Sequence, residues 1–345
     1  MSIDETGASR LVLGTAQIGL DYGVANRRGR PSNAECERLL SHAVDRGVCR
    51  WDTARSYGDA EKRIGAFLAR SGSDVRIVSK LASPPDDLPH DEINKWVESE
   101  IDASRQDLQI ECLDAWLIHD ADLVRRYGDA LREAMLTQVD RGATKQIGVS
   151  VYDVNELRLA DLGRVVEHRQ VHCNKRSQVA RSTAFRRPTA APGLPPKGGT
   201  RNKQGVDQLV AVQLPLNLLD HRFPNSQELQ ELDRVGSTVY ARSVLLQGVF
   251  TMEPTSLPAH LNHLAEPLTR LRAMLAKYEV TPLDVALPFV LSQKQANFVV
   301  VGVDDESQLD DNLRRAELPL PAGLVDELRS VFGSLPVEVV EPRRW

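Results

Sequence analysis

Long apolar runs are missing. In a chain of 345 residues the longest, Val285 to Leu291 and Phe298 to Val301, fall far short of the ~20 residues a membrane-spanning helix requires. Cysteine is scarce too. Cys36, Cys49, Cys112 and Cys173 stand far apart, giving neither the close pairs of a zinc site nor a disulfide framework, so all four are expected as free thiols. The first ten residues carry Asp4 and Glu5 and lack both the basic and the apolar region of a secretory signal, which predicts a cytoplasmic protein with no membrane partner. Glycines are plentiful but not in phosphate-binding patterns: Gly14, Gly19 and Gly23 are too widely spaced for G-x-G-x-x-G, and no G-x-x-x-x-G-K occurs.

What is present is an ordinary globular composition, 41% hydrophobic and 26% charged, sufficient for a sizeable core. The net charge of -5 is unevenly spread. Between Arg164 and Gln204 stand ten Lys or Arg and one acid, Glu167, against 33 basic and 47 acidic residues elsewhere. With little apolar periodicity and the turn-rich Pro195-Pro196-Lys197-Gly198-Gly199, segment 164–206 reads as a disordered basic insertion. Basic charge with few aromatics raises nucleic acid as a partner. The position argues for a solvated loop instead, in a connection from a helix to a strand, and nucleic acid is not expected to bind.

On either side, short apolar runs alternate with helical stretches, the signature of βαβ units and a parallel sheet. Eight runs qualify: Leu11 to Gly14, Val48 to Asp52, Val75 to Lys80, Leu113 to His119, Gln146 to Ser150, Leu209 to Leu214, Thr238 to Arg242 and Asn297 to Gly302. Between them Cys36, Leu39, Leu40, Ala43 and Val44 share one helical face, and Leu261, Leu264, Leu268, Leu271 and Leu275 another. Ser32 with Glu35 and Asp153 with Glu156 have capping-box spacing, while Gly72 and Gly142 sit where helices would end left-handed. Without a glycine fingerprint, eight such units fit a single closed (β/α)8 TIM barrel better than an open doubly wound sheet.

Catalytic groups of a parallel barrel stand at the C-terminal ends of its strands. Asp52 ends the second run, Tyr57 follows in the loop, Lys80 ends the third run and His119 the fourth. Neighbouring strands lie about 5 Å apart, so these side chains could converge at the rim as an acid and base set. Each type alone is more often structural: an Asp caps helices, a Lys forms ion pairs, and Tyr and His fill cores.

The motifs around them carry a resemblance. Trp51-Asp52-Thr53-Ala54-Arg55-Ser56-Tyr57-Gly58, with Glu61 and Ile64-Gly65, resembles the aldo-keto reductase signature D-T-A-x-x-Y-G-x-x-E-x-x-I-G. Lys80 in Ile77-Val78-Ser79-Lys80 and His119 in Leu117-Ile118-His119-Asp120 resemble the next two signatures, and the similarity extends to Gly148-Val149-Ser150, Gln213 through Arg222 and Gly302 through Asn312. The resemblance implies metal-free reduction of a small-molecule carbonyl, or the reverse oxidation, with NADP or NAD as cofactor. Its roles suit the chemistry of the four types. An alkoxide formed by hydride transfer needs a proton donor, Tyr57. A phenol of ordinary pKa ~10 would be lowered by the Lys80 ammonium, Asp52 would fix that lysine, and His119 would orient the carbonyl oxygen.

Cofactor positions carry over from the same resemblance: Ser150 and Gln213 to the nicotinamide carboxamide, Ser243 to the pyrophosphate, and Gly302, Gln308 and Asn312 to the adenosine end. Val151 stands where an Asn often follows the Ser, and Arg242 takes the place of the aromatic that stacks on the nicotinamide, where its planar guanidinium could stack instead. Asp304, Asp305 and Glu306 are acidic where a 2′-phosphate would want Arg or Lys, which predicts no preference for the phosphorylated cofactor unless Arg314 or Arg315 reaches in. The tail either folds over the mouth, bringing Trp345 or Arg344 to the pocket, or frays. Two other readings stand beside this one: a regulatory, non-catalytic dinucleotide-binding barrel acting as sensor or partner subunit, and a Schiff-base aldolase using Lys80. Neither the substrate nor the oligomeric state is legible in the residues.

Overall fold

The computed structural model describes residues 7–160, 210–224 and 226–345. The basic segment 164–206 and Cys173 lie outside the described residues. Eight parallel strands close into a barrel in sequence order, with β1 (Leu11–Gly14) pairing both β2 (Arg50–Asp52) and β8 (Phe298–Gly302). Between these come β3 (Arg76–Leu81), β4 (Ala115–Ile118), β5 (Ile147–Ser150), β6 (Val210–Pro215) and β7 (Thr238–Arg242). All eight runs read from the sequence are strands, displaced at their ends by at most two residues; β4 stops at Ile118, so His119 stands just past it.

The helical expectations hold with one departure. Ser32 and Glu35 form the reciprocal capping box of helix Asn33–Asp45, whose face Cys36, Leu39, Leu40 and Ala43 is buried, with Val44 at its margin. Gly72 ends helix Ala60–Ser71 in the left-handed region, and Gly142 does the same beyond Asp140. Asp153 accepts from Glu156 N, but the Glu156 carboxylate returns to Tyr152 N and not to Asp153, a one-residue departure from the box. Cys36, Cys49 and Cys112 are free thiols. No helix among the described residues is long and apolar enough to cross a membrane.

Strands covered by helices outside and filled by side chains inside must be apolar on both faces, and β4, β5 and β6 are buried along their whole length. The barrel interior holds its own apolar layer of Val12, Val78, Ala115, Leu117, Ala211 and Tyr240. Strand side chains alternate with period two. Two residues beyond this layer, toward the C-terminal ends, the same inward face therefore carries Gly14, Lys80, His119, Gln213 and Arg242. The polar mouth of the barrel is built from the register of its apolar plug.

Candidate active site

The loop after β2 is held by packing that tolerates no side-chain carbon. Gly19 closes the short helix Ala16–Gly19, and a Cβ there would collide with the Tyr57 carbonyl oxygen. Gly58, at φ +56°, would in turn strike the Gly19 carbonyl. The two glycines let these backbones touch and fix where Tyr57 starts. On the other side Glu61, 3% exposed, accepts from Ser79 Oγ at 2.6 Å, Ser104 Oγ at 2.9 Å and Arg55 at 2.8 Å, and Arg55 also reaches Asp107 at 2.8 Å. Glu61→Ala should leave both hydroxyls without their acceptor and Arg55 with Asp107 as its remaining close acid, at a cost of about 2–3 kcal/mol in urea-unfolding stability. A loss below 1 kcal/mol would mean the network is slack.

The four predicted catalytic types meet. Lys80 Nζ donates to Asp52 Oδ2 at 2.7 Å and to the Thr53 carbonyl at 2.9 Å, and lies 3.4 Å from the Tyr57 hydroxyl. Gln213 Nε2 donates to the other Asp52 oxygen at 2.6 Å, so that carboxylate is held from β3 and from β6. The His119 ring stands edge-on to Tyr57, with centroids 5.8 Å apart. Its Nδ1 is 3.0 Å from Ser56 Oγ, and among the described residues Nε2 has no hydrogen-bond partner. The motif match passed over Ser56 because it sits at a variable position of the signature; only the fold brings β4 beside it.

Burial sets the proton affinities. His119 is pushed down to about 3, by desolvation first and then by the Lys80 and Arg242 charges, so its imidazole is neutral. Lys80 is drawn below its ordinary value by desolvation, with the Asp52 carboxylate opposing. Tyr57 goes against expectation. Its phenol is pushed up, not lowered, because desolvation and the Asp52 charge both disfavour the phenolate. The lysine that was to lower it has its charge taken up by Asp52 at 2.7 Å.

A cavity of about 410 Å³ opens on this cluster and runs across the barrel mouth, lined by Asp52, Tyr57 and His119 at one end and by Gly302, Gln308 and Asn312 at the other. Ser150, Gln213, Arg242 and Ser243 line the stretch between. All the residues expected to meet the cofactor thus face one cleft. In its wall Ser243 and Gln247 have φ of 59° and 55°, with the buried Leu246 between them at 49° and Gly248 following at 86°. Three non-glycine residues held left-handed are a strained backbone, and such turns gather N–H groups into concavities that suit anions.

Three details at the mouth differ from expectation. The Arg242 guanidinium lies over the Tyr152 ring, 3.9 Å from its centroid, and donates to the Val151 carbonyl and Ser243 Oγ. The tail neither frays nor brings Trp345 or Arg344 to the cavity: Trp345 packs on His263 and donates to the Glu338 carbonyl, while Arg343 covers the outer face of Tyr152 at 3.7 Å. The acidic stretch is not unpaired. Asp305 meets Arg28 at 2.5 Å and caps the helix Glu306–Ala316, Glu306 meets Arg38 at 3.2 Å, and Arg315 lines the cleft near Asn312. Tyr22 and Tyr152, which motif reading did not single out, complete the reaction end; Tyr22 is 38% exposed.

The sequence profile of the Aldo/keto reductase family matches residues 10–184 and 190–332. The chain belongs to the aldo/keto reductase family. Its relatives are distant. It is 23% identical to "Aldo-keto reductase str7" of Strobilurus tenacellus, over 92% of this chain and 86% of that protein, and 26% identical to the "D-threo-aldose 1-dehydrogenase" of Pseudomonas sp, over 95% and 97%. Among solved structures the barrel superposes on the holo form of aldo-keto reductase AKR11C1 from Bacillus halodurans with a TM-score of 0.67 at 17% identity, covering 97% of this chain and 95% of that one. At that identity the superposition speaks for the fold alone. Family membership makes the chain an oxidoreductase by descent; which reaction it performs rests on the site.

Proposed function

We propose that this family member is an NAD(P)-dependent carbonyl reductase, converting an aldehyde or ketone to the alcohol or running the reverse oxidation. The observation that carries the reading is the Tyr57 hydroxyl 3.4 Å from Lys80 Nζ, itself 2.7 Å from Asp52, at the wall of a cleft that continues past every expected cofactor position. The cleft residues fit a dinucleotide. Ser150 and the free Gln213 oxygen suit a carboxamide, the strained turn at Ser243 suits a diphosphate, and Gly302, Gln308 and Asn312 suit an adenosine.

Hydride for the carbonyl carbon would be the contribution of a nicotinamide cofactor when bound. The chain's own residues manage the oxygen. Tyr57, its phenol pushed up, keeps its proton until the oxygen gains negative charge, then gives it up; the Lys80 ammonium beside it stabilises the phenolate left behind. His119 is neutral and can donate from Nε2 only if Nδ1 accepts, so the Ser56 hydroxyl is assigned as donor to Nδ1. That contact orients the ring toward the substrate oxygen.

The test is titration with NADH and NADPH at fixed ionic strength, followed by a panel of aldehydes and ketones. Both cofactors should bind, NADPH no more than about tenfold tighter than NADH, since the guanidiniums that meet the acidic stretch, Arg28 and Arg38, are each taken up by its carboxylates and Gln308 is neutral. A larger NADPH preference would show that Arg315 or Arg28 leaves its acid partner for the 2′-phosphate. Binding without turnover of any carbonyl would favour the regulatory barrel.

A further inference from the structure

Most cations at the barrel mouth are answered by carboxylates. Lys80 Nζ lies 2.7 Å from Asp52, and Arg343 lies 2.7 Å from both Glu156 and Glu341. Arg242 is different. It lines the cleft with Ser150, Gln213 and Ser243, yet among the described residues no carboxylate comes within ion-pairing distance of it. Nor is it a loose surface arginine. The Tyr152 ring supports one face of the guanidinium at 3.9 Å, and the Val151 carbonyl and Ser243 Oγ accept from it at 3.0 and 3.1 Å. Arg343 clamps Tyr152 in turn at 3.7 Å, so the support is itself held.

This fixed charge stands where a nicotinamide ring belongs. Ser150 and Gln213 beside it suit the carboxamide, the next residue, Ser243, begins the turn that suits the diphosphate, and Tyr57 and His119 line the same end of the cleft. The charge is felt throughout that end: after desolvation, which leads in each case, Arg242 acts on the proton affinities of Tyr22, Tyr57, Lys80 and His119. The two redox states of the ring differ in charge. Passing a hydride, a proton with both bonding electrons, to the carbonyl carbon turns a neutral dihydropyridine into a pyridinium cation. A half-buried guanidinium without a counter-ion repels that cation and is indifferent to the neutral ring, whereas an aromatic side chain in its place would attract the cation through its quadrupole. We infer that Arg242 makes the cleft discriminate between the redox states of its cofactor, holding the reduced dinucleotide and releasing the oxidised one. This rests on the carbonyl-reductase reading and gives it a working direction: the oxidised product competes weakly for the site, while the overall equilibrium of the reaction is unchanged.

The experiment is calorimetric titration, with no carbonyl compound present and at fixed ionic strength, with NADH against NAD+ and NADPH against NADP+. In wild type the reduced member of each pair that binds should be held at least about tenfold more tightly than the oxidised one. Arg242→Gln should narrow that ratio by about tenfold, and Arg242→Lys, which keeps the charge, should preserve most of it. A ratio near one in wild type overturns the proposal, as does an unchanged ratio in Arg242→Gln. ADP-ribose, which keeps the diphosphate and adenosine but lacks the ring, should bind wild type and Arg242→Gln alike. If it weakens as much as the reduced dinucleotide, Arg242 serves the diphosphate and the proposal fails while the carbonyl-reductase reading stands. If neither the dinucleotides nor ADP-ribose bind, that reading falls and takes the proposal with it.

Discussion

Tyr57→Phe should bind NADH as tightly as the wild type and lose about 10²-fold to 10⁴-fold in turnover of any carbonyl substrate. The substitution removes one oxygen from a ring whose position is fixed by other means: the backbone contact of Gly58 with Gly19, the edge of His119 and the buried Glu61 network beneath the loop. The geometry therefore survives while the proton donor is gone. The pH profile follows from the same electrostatics. His119 has a folded value of about 3, below its ordinary 6.5, so lowering the pH from 8 to 5 does not protonate it and turnover should show no histidine limb in that window. Tyr57 is displaced upward and keeps its proton across the same range. Turnover by Tyr57→Phe close to wild type removes Tyr57 from the mechanism, and an inflection near pH 6.5 that disappears in His119→Gln shows the imidazole to be far better solvated than its walls imply.

The barrel was legible because period and position coincide in a parallel fold. Each apolar run ends within one residue of its strand, so Asp52, Lys80, Ser150, Gln213 and Arg242 mark the mouth before any coordinates are seen. What the residues could not reveal were relations between elements far apart in the chain. Arg28 reaching Asp305, Gln213 reaching Asp52 and Arg343 reaching Tyr152 join positions 277, 161 and 191 residues apart, and no local pattern encodes such meetings. The upward displacement of Tyr57 has the same origin. From types alone a lysine beside a phenol lowers it, but the outcome depends on Asp52 claiming that lysine and on how dry the site is. The tail was open for a related reason: the residues suggested Trp345 or Arg344 for the pocket, whereas the acids of the helix after β5 and of the tail itself hold Arg343 against Tyr152 and leave all three outside the cavity lining.

Lys80→Met should be the most destabilising change at the site, by about 3–5 kcal/mol, because it leaves the Asp52 carboxylate buried with Gln213 as its remaining side-chain donor. The double variant Asp52→Asn with Lys80→Met should recover much of that loss in urea unfolding, since an amide has no charge to strand. Similar losses for the single and double variants would mean that Lys80 packs and does not pair. The pH dependence of stability has a definite sign. Lys80 has a folded value below its ordinary 10.5, so the unfolded chain holds this proton more tightly, and through the window from the folded value up to 10.5 this group makes stability rise with pH. Lys80→Met should flatten that limb. The pair also bears on chemistry, because a Schiff-base lysine must be neutral to attack a carbonyl, whereas Nζ here spends its donors on Asp52, Thr53 and Tyr57. Borohydride added with an aldehyde substrate should therefore leave Lys80 unmodified by mass spectrometry. An adduct there, formed without any nicotinamide cofactor, would make the lysine a nucleophile and turn the same four residues toward aldol chemistry.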